Sequence, residues 1–159
     1  MDKSALRSSI LRQLEADLAL QTQAALTSRD EATSEESKAE NKYDTRGQEA
    51  AYLAEGQARL AAEIHESITI YTALPLPAFG PGDPIALGAV VMLQAAGREQ
   101  TCFLGPRAGG LELTLDGRTI LVLTPASPLG RLLLGRRVGD TVIPPARGKP
   151  VTHTVTAVM

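Results

Sequence analysis

The sequence predicts an α+β fold: an N-terminal antiparallel helical hairpin of the coiled-coil type, followed by an antiparallel β-sheet with one short helix. Three observations lead to this prediction. Apolar residues in the first half recur every three or four positions, with no proline before Pro75, which is typical of amphipathic helices. Prolines and glycines then crowd residues 74–85. Beyond them, short runs rich in β-branched residues alternate with turns, as strands do.

The first helix is predicted from Ser4 to about Thr27. This stretch contains neither glycine nor proline, so nothing in it interrupts a helix. Its apolar stripe consists of residues spaced by four, which are Leu6, Ile10, Leu14 and Leu18. A polar stretch from Ser28 to Ser34 follows and is predicted to be the connection to the next helix.

A second helix is predicted because apolar and small residues then alternate steps of four and three, which is the spacing of a heptad seam. Each helix has a single stripe to bury, so the two fold back on each other. The hairpin is assigned to residues 1–70. The predicted seam comprises Ala39, Tyr43, Arg46, Ala50, Leu53, Gln57, Leu60 and Ile64.

The second half is predicted to contain a linker at residues 71–84 and a sheet domain at residues 85–159. Asp116-Gly117 between two apolar runs signals a hairpin, because a type I′ turn needs positive φ at both central positions. One helix interrupts the strands: Ser127 is a suitable N-cap, and Gly135 a suitable end. The predicted strands are Ala89–Leu93, Glu99–Leu104, Leu111–Leu115, Ile120–Leu123, Thr141–Ile143 and Thr152–Val158.

Charge is distributed unevenly along the 159 residues. Residues 1–68 hold 8 Lys and Arg against 13 Asp and Glu, whereas residues 69–159 hold 8 against 5. An acidic arm does not suit the neutralisation of nucleic-acid phosphates, so nucleic-acid binding through the first half is not expected. No apolar run has the length of a membrane span. We therefore expect a cytoplasmic protein without a membrane partner, with its single cysteine, Cys102, buried in a strand.

The segment Ser127-Pro-Leu-Gly-Arg-Leu-Leu-Leu-Gly-Arg-Arg-Val-Gly-Asp140 resembles a signature of the bacterial Gre transcript cleavage factors, Ser-Pro-Leu-Gly-Arg-x-Leu-Leu-Gly-Lys-Lys-Val-Gly-Asp. The resemblance implies a C-terminal domain similar to the FK506-binding-protein fold and RNA polymerase as the partner. It also implies a role in transcription elongation. The implied polymerase-docking residues are Ser127, Pro128, Leu129, Gly130, Arg131, Arg136 and Arg137.

A second block, Ala39-Glu-Asn-Lys-Tyr-Asp44 with Tyr52-Leu53 downstream, is similar to a conserved run on the ascending helix of the same family. There, an Asp and a Glu three residues later help the polymerase to hold a second Mg²⁺. With Tyr43 aligned, Glu36 falls on the Asp position and Ala39 on the Glu position. The implied catalytic carboxylates are therefore Glu36, Glu40 and Glu35, because Glu36 and Glu40 share one helical face.

The resemblance leaves more than one function open. The chain is expected not to be an enzyme by itself, but to assist the endonuclease of RNA polymerase. It would bind no cofactor alone, share Mg²⁺ with polymerase through Glu36 and Glu40, and contact the RNA 3′ end indirectly. Alternatively, the arm contacts or blocks the secondary channel without cleavage, because Ala39 replaces an acid. A third possibility is a binding module for another protein.

Overall fold

The computed structural model describes residues 1–33, 46–80, 82–145 and 148–159. These residues form a long helical hairpin, a six-stranded mixed sheet and one short helix, which is the predicted α+β class. The elements are α1 (Lys3–Thr33), α2 (Arg46–Ala73), β1 (Val90–Ala95), β2 (Arg98–Leu104), β3 (Glu112–Leu115), β4 (Arg118–Leu123), α3 (Pro128–Leu133), β5 (Thr141–Val142) and β6 (His153–Val158).

The chain forms two compact units. One comprises residues 11–69, and the other joins residues 1–10 to residues 70–159. Helix α1 therefore contributes its first turns to one unit and its remaining length to the other. No helix among the described residues is long and apolar enough to cross a membrane.

Helix α1 is longer than the sequence pattern predicted. It begins after Asp2, whose carboxylate accepts the backbone N–H of Ser4 at 2.8 Å. It continues to Thr33, so the predicted connection from Ser28 is helical as far as the structure describes it. The hydroxyl of Thr33 donates to the carbonyl of Arg29 four residues back, so this polar side chain finds its partner within the helix. Polarity alone was a poor indicator of the helix end.

The seam between α1 and α2 in the helical unit is made of small and polar residues. Ser28 is buried, and its hydroxyl lies 3.0 Å from Oε1 of Gln57. Six of the residues of α2 that are at least half-buried follow a four-three rhythm, namely Ala50, Ala54, Gln57, Ala61, Ile64 and Ile68. Gly47, Gly56, Ser67, Ile70 and Tyr71 are also at least half-buried.

Two leucines of the predicted seam lie outside it. Leu53 is 54% exposed and Leu60 is 43% exposed, whereas Ala54 and Ala61 turn inward. Both sets fit the heptad spacing, so the periodicity did not decide between them. Small side chains permit a closer approach of the two helix backbones, and this favours the alanines. Ala39 and Tyr43 of the predicted seam are outside the described residues.

The sheet is mixed rather than antiparallel, with strand order β3-β4-β2-β1-β6-β5. The exception is the pair β2 and β4, which run parallel in the register Thr101 to Ile120 through Leu104 to Leu123. The chain leaves β2, reaches the sheet edge as β3 and returns as β4 beside β2. Since β4 is antiparallel to β3 and parallel to β2, the connection after β2 reverses the chain direction before β3. Its turn residues Asp116 and Gly117 have φ of 52° and 74°, as a type I′ turn requires.

Both faces of the central strands are buried. Helix α3 contributes Leu133 to the core on one face, which also includes Val91, Leu93, Cys102 and Leu104. The opposite face carries fully buried side chains, which are Val90, Phe103, Ile120 and Val122. As predicted, Cys102 lies inside a strand, and burial raises the pKa of its thiol to about 12.

The proline-rich segment after α2 is held by the first two turns of α1. The ammonium of Lys3 donates to the carbonyl of Pro77 and, at 3.1 Å, to that of Gly88. It also lies 4.8 Å from the centre of the Phe79 ring. Arg7 donates to the carbonyl of Leu74 at 3.2 Å. These contacts lie within one compact unit and supply donors to a segment that has no regular partner strand.

Candidate functional site

Helix α3 is positioned by the cap that the sequence predicted. Ser127 has the extended backbone of an N-cap, with φ −69° and ψ 151°. Its hydroxyl accepts the backbone N–H of Gly130 at 3.1 Å and donates to the carbonyl of Thr124 at 2.8 Å. Pro128 occupies the first helical turn, where its missing N–H leaves no bond unmade. The start of α3 is therefore hydrogen-bonded to Thr124, which directly follows β4.

The inner side of α3 has a packing role. Leu129 packs against the hydrophobic core, and Gly130 is buried. A Cβ at Gly130 would overlap the carbonyl oxygen of Thr124 and lie 2.7 Å from the hydroxyl of Ser127. Only glycine lets the helix approach the preceding strand this closely. Leu129 and Gly130 thus set the position of α3, while Pro128 and Arg131 are exposed to solvent.

The outer side of α3 forms a groove together with the segment after β5. The groove encloses about 470 Å³, and its lining is mainly apolar, with one guanidinium at the rim. Ile143 is 57% exposed. The lining residues are Pro128, Arg131, Leu132, Ile143 and Pro145. Exposed apolar surface with a charged rim is typical of a protein-binding site.

Arginines follow immediately after the helix. The backbone of Arg136 accepts the N–H of Ile85 at 2.7 Å, and the N–H of Gly135 donates to Ile85 at 2.8 Å. The N–H of Arg137 donates to the carboxylate of Asp140 at 2.9 Å. Main-chain bonds therefore hold this segment in place, while both arginine residues remain exposed. The guanidinium of Arg136 donates to the carbonyl of Leu132 at 3.4 Å. Exposed arginines on a fixed backbone suit the recognition of an acidic surface.

The predicted docking residues thus divide into three groups. Ser127, Leu129 and Gly130 position α3. Pro128 and Arg131 line the groove, and Arg136 and Arg137 follow it along the chain. Ile143 and Pro145 were not among the predicted docking residues, because they follow the signature, which ends at Asp140. An unusually apolar residue beside two prolines, in Ile143-Pro-Pro145, was the available signal.

The predicted carboxylates Glu35, Glu36 and Glu40 lie outside the described residues, in the segment that connects α1 to α2. Among the described residues, no group of three or more His, Cys, Asp and Glu side chains could hold a metal ion. Neither histidine has a ligand-like setting there: His65 is exposed, and Nδ1 of His153 lies 3.0 Å from the carbonyl of Val151.

Solved structures of transcription factors are similar to this chain at low sequence identity. The sequence matches no protein-family model and no curated protein at a significant level. Among solved structures, the GreA factor homolog 1 protein of Thermus thermophilus is 26% identical, with 94% of each chain covered and a TM-score of 0.38. A further structure of the transcription factor Gfh1 is 26% identical, covering 96% of this chain and 92% of that one, with a TM-score of 0.42.

A transcription elongation factor GreA/GreB from Nitrosomonas europaea is 16% identical. The match covers 70% of this chain and 91% of that one, with a TM-score of 0.38. All three TM-scores are below 0.5, so none of these superpositions establishes a shared arrangement of the whole chain. The fold of this protein is therefore defined by its own elements: a helical hairpin, a mixed sheet and a capped helix beside an apolar groove.

Proposed function

We propose that this protein is a Gre-like factor that binds RNA polymerase during transcription elongation. It docks through the outer side of α3 and places its helical hairpin in the secondary channel. The proposal rests on the resemblance of residues 127–140 to the family signature, together with the position of that signature in the fold. The chain is similar to factors of this name, but the similarity to solved structures is too loose to carry the argument.

One observation carries the docking part of the proposal. The signature segment combines buried residues that seat α3 with exposed residues that border an apolar groove. All three arginines of this segment are exposed, although Arg131 and Arg136 also donate to the carbonyls of Ala126 at 3.0 Å and Leu132 at 3.4 Å. An apolar centre with a basic rim fits an acidic, partly apolar surface on a partner.

Cleavage of backtracked RNA is the first candidate activity. Glu35, Glu36 and Glu40 would be the carboxylates carried by the arm, and Glu36 and Glu40 would hold Mg²⁺ jointly with polymerase. When bound, this ion would activate the water that attacks the RNA phosphodiester. The protein would supply hard oxygen ligands and their placement, and the polymerase would supply the rest of its own endonuclease site.

A non-cleaving regulator of the secondary channel is the second candidate. Ala39 favours it, because alanine stands where the family alignment places an acid. In this case the arm would occupy the channel and alter initiation or elongation without supplying a ligand to Mg²⁺. Docking by α3 would be common to both candidates.

Transcript cleavage in a stalled, backtracked elongation complex separates the two candidates. The wild-type chain is compared with a variant carrying Glu35→Ala, Glu36→Ala and Glu40→Ala at matched Mg²⁺. A control carries Glu15→Ala and Glu55→Ala, which remove exposed carboxylates elsewhere on the two helices. Cleavage is supported if the wild-type chain and the control variant accelerate the release of short 3′ fragments and the triple variant does not. Binding without acceleration by the wild-type chain supports the regulator.

Docking is tested by binding to the core polymerase. Arg131→Glu combined with Ile143→Ser changes the rim and the centre of the groove, and we expect affinity to fall at least about tenfold. Arg118→Glu is the matched control, because Arg118 is also exposed but lies at the β3–β4 turn. If the wild-type chain does not bind polymerase at all, the third possibility, a module for another protein, replaces this proposal.

A further inference from the structure

The distal part of the hairpin seam, defined here as residues 24–33 of α1 and 47–61 of α2, consists almost entirely of very small residues. Every residue there that is at least half-buried is alanine or glycine, with two exceptions. The exceptions are Ser28 and Gln57. Because one methyl group buries little apolar area, the alanines do little to hold the two helices in a fixed alignment.

Larger apolar side chains align the helices only outside the distal part. Leu14 and Leu18 lie nearer the start of α1, and Ile64 lies nearer the end of α2. Between these residues and the distal part, α2 passes through Gly56, and glycine is the weakest helix former after proline. The alignment made by the large side chains is therefore not transmitted rigidly along α2.

One polar contact joins the two helices within the distal part. Ser28 is 4% exposed, and its hydroxyl donates to Oε1 of Gln57 at 3.0 Å. The neighbouring hydroxyl of Thr27 instead donates to a carbonyl of its own helix. If α2 shifted by one turn of four residues, Ser28 would face Leu53 or Ala61, and neither has a side-chain acceptor. Only the observed alignment forms the bond between the helices, as a single buried polar residue fixes the register of a coiled coil.

The alignment of the distal part affects the end of the arm. Each residue advances a helix by 1.5 Å, so a shift of four residues moves α2 by about 6 Å along α1. Residues 34–45 join Thr33 to Arg46, and the same shift would displace these two ends relative to each other. The three carboxylates of the cleavage candidate belong to this connection, and the ligands of Mg²⁺ must lie close to ideal octahedral positions.

We propose that Ser28 and Gln57 are positioning residues of the arm. Their hydrogen bond holds the distal parts of α1 and α2 in one alignment and thereby places the carboxylates at 35–40 for the Mg²⁺ shared with polymerase. This inference rests on the cleavage candidate of the proposed function. It assigns the bond to the placement of the arm's end rather than to the stability of the arm.

Ser28→Ala removes the bond without weakening the helix. Alanine is a better helix former than serine and is already the main residue of this seam, so the melting temperature is expected to stay equal or rise. Spin labels at Ala19→Cys and Ala51→Cys, both exposed positions, report the distance between α1 and α2. Cys102 is 1% exposed, so it is not expected to take a label. We expect one narrow distance distribution with Ser28 and a broader one with alanine.

Transcript cleavage measures the consequence of the changed alignment. In saturated backtracked complexes, Ser28→Ala is expected to lower the cleavage rate constant at least about tenfold, because small displacements of catalytic groups slow a reaction strongly. Affinity for core polymerase is expected to change less than about twofold, because the α3 groove is unaltered. Thr27→Ala is the matched control, since it removes a neighbouring hydroxyl whose bond stays within α1. It is expected to leave both the distances and the rate constant unchanged.

Two substitutions of Gln57 separate the hydrogen bond from the bulk of the side chain. Gln57→Glu keeps an oxygen that accepts from Ser28, so it is expected to retain the narrow distribution and most of the cleavage rate. Gln57→Met has a similar length but lacks this acceptor, and it is expected to reproduce the effects of Ser28→Ala. Equal effects of the two substitutions would contradict a role for the bond.

The distances are measured in the free chain, so they separate this inference from the proposed function. Unchanged distances in Ser28→Ala would overturn the inference and leave the proposed function standing. Broader distances with an unchanged cleavage rate would overturn the positioning role. A wild-type chain that binds polymerase without accelerating cleavage would overturn the cleavage candidate, and with it the placement of carboxylates, whatever the distances.

Discussion

The hydroxyl group of Tyr71 lies against Gly105, in the space that a Cβ would occupy. Tyr71 is in the last turn of α2 and is fully buried, and Gly105 directly follows β2. The hydroxyl donates to the carbonyl of Arg107 at 2.7 Å. Glycine at position 105 thus makes room for a side chain that ties the end of α2 to the loop after β2.

Gly105→Ala is therefore expected to destabilise the protein. The added methyl group would overlap the Tyr71 hydroxyl and lie about 3.2 Å from Val122, so one of the two must move. Overpacking of this kind costs about 1–3 kcal/mol in the free energy of unfolding. Urea unfolding followed by circular dichroism measures the change.

The control for this substitution is Gly82→Ala. No described atom lies within 4 Å of a Cβ at Gly82, and its φ is not positive. We expect its free energy of unfolding to change by less than about 0.5 kcal/mol. A Gly105→Ala variant as stable as this control would contradict the close contact with Tyr71.

The buried thiol of Cys102 predicts a dependence of stability on pH. Burial raises its pKa from an ordinary value of 9.0 to about 12. Above pH 9 the unfolded chain releases this proton and the folded chain keeps it, so the free energy of unfolding falls as pH rises. Between pH 8 and pH 10 this single group lowers the free energy of unfolding by about 1 kcal/mol.

Cys102→Ala isolates that contribution. Its cavity lowers stability by the same amount at both pH values, so the difference between pH 8 and pH 10 reports the thiol alone. Chemical denaturation at the two pH values should show a loss of stability that is about 1 kcal/mol smaller in the variant. Equal losses in the two proteins would show that the thiol titrates alike in the folded and unfolded chains.

The cap of α3 should contribute both to stability and to docking. Ser127→Ala removes the acceptor for the N–H of Gly130 and the donor to the carbonyl of Thr124. We expect a loss of about 1 kcal/mol in the free energy of unfolding and weaker polymerase binding, because α3 shapes the groove. Thermal unfolding and a binding titration measure the two effects. Ser127→Thr keeps the hydroxyl, so it should retain most of the wild-type stability and most of the wild-type affinity for polymerase.

The contacts of Lys3 should restrain the segment after α2. Lys3→Met keeps most of the side-chain length but loses the donors to the carbonyls of Pro77 and Gly88. The expected loss is about 1 kcal/mol in stability, with faster amide hydrogen exchange in residues 76–89. Lys3→Arg preserves the positive charge, so its stability and exchange rates should lie between those of the wild-type chain and the methionine variant. Unchanged exchange in the methionine variant would mean that this segment holds its conformation without Lys3.

Local features of the fold were predictable from the sequence. The cap at Ser127, the turn at Asp116-Gly117 and the six strands each follow from neighbouring residues, whose conformational preferences are strong. The choice between Leu53 and Ala54 for the hairpin seam was not predictable, because both satisfy the same spacing. Only the packing of two helices decides it.

The pairing of distant segments also could not be predicted from the sequence pattern. The parallel pair β2 and β4 depends on β3 taking the sheet edge, and no residue in either strand specifies this. Likewise, Ile143 lines a groove with Pro128 only because the chain returns beside α3 through β5. Pro128 and Arg131 could therefore be named from the signature, whereas the roles of Leu132, Ile143 and Pro145 required the fold.

Because Lys3 lies near the N-terminus, the order of synthesis affects when its contacts can form. Its carbonyl partners Pro77 and Gly88 are made more than 70 residues later, and strand β1 must wait for β6 before it is paired on both sides. Contacts between segments this distant form slowly. The helical arm, whose helices are neighbours in sequence, can close while the ribosome is still translating the sheet. A nascent chain stalled before β6 would therefore expose the apolar edge of β1 to chaperones.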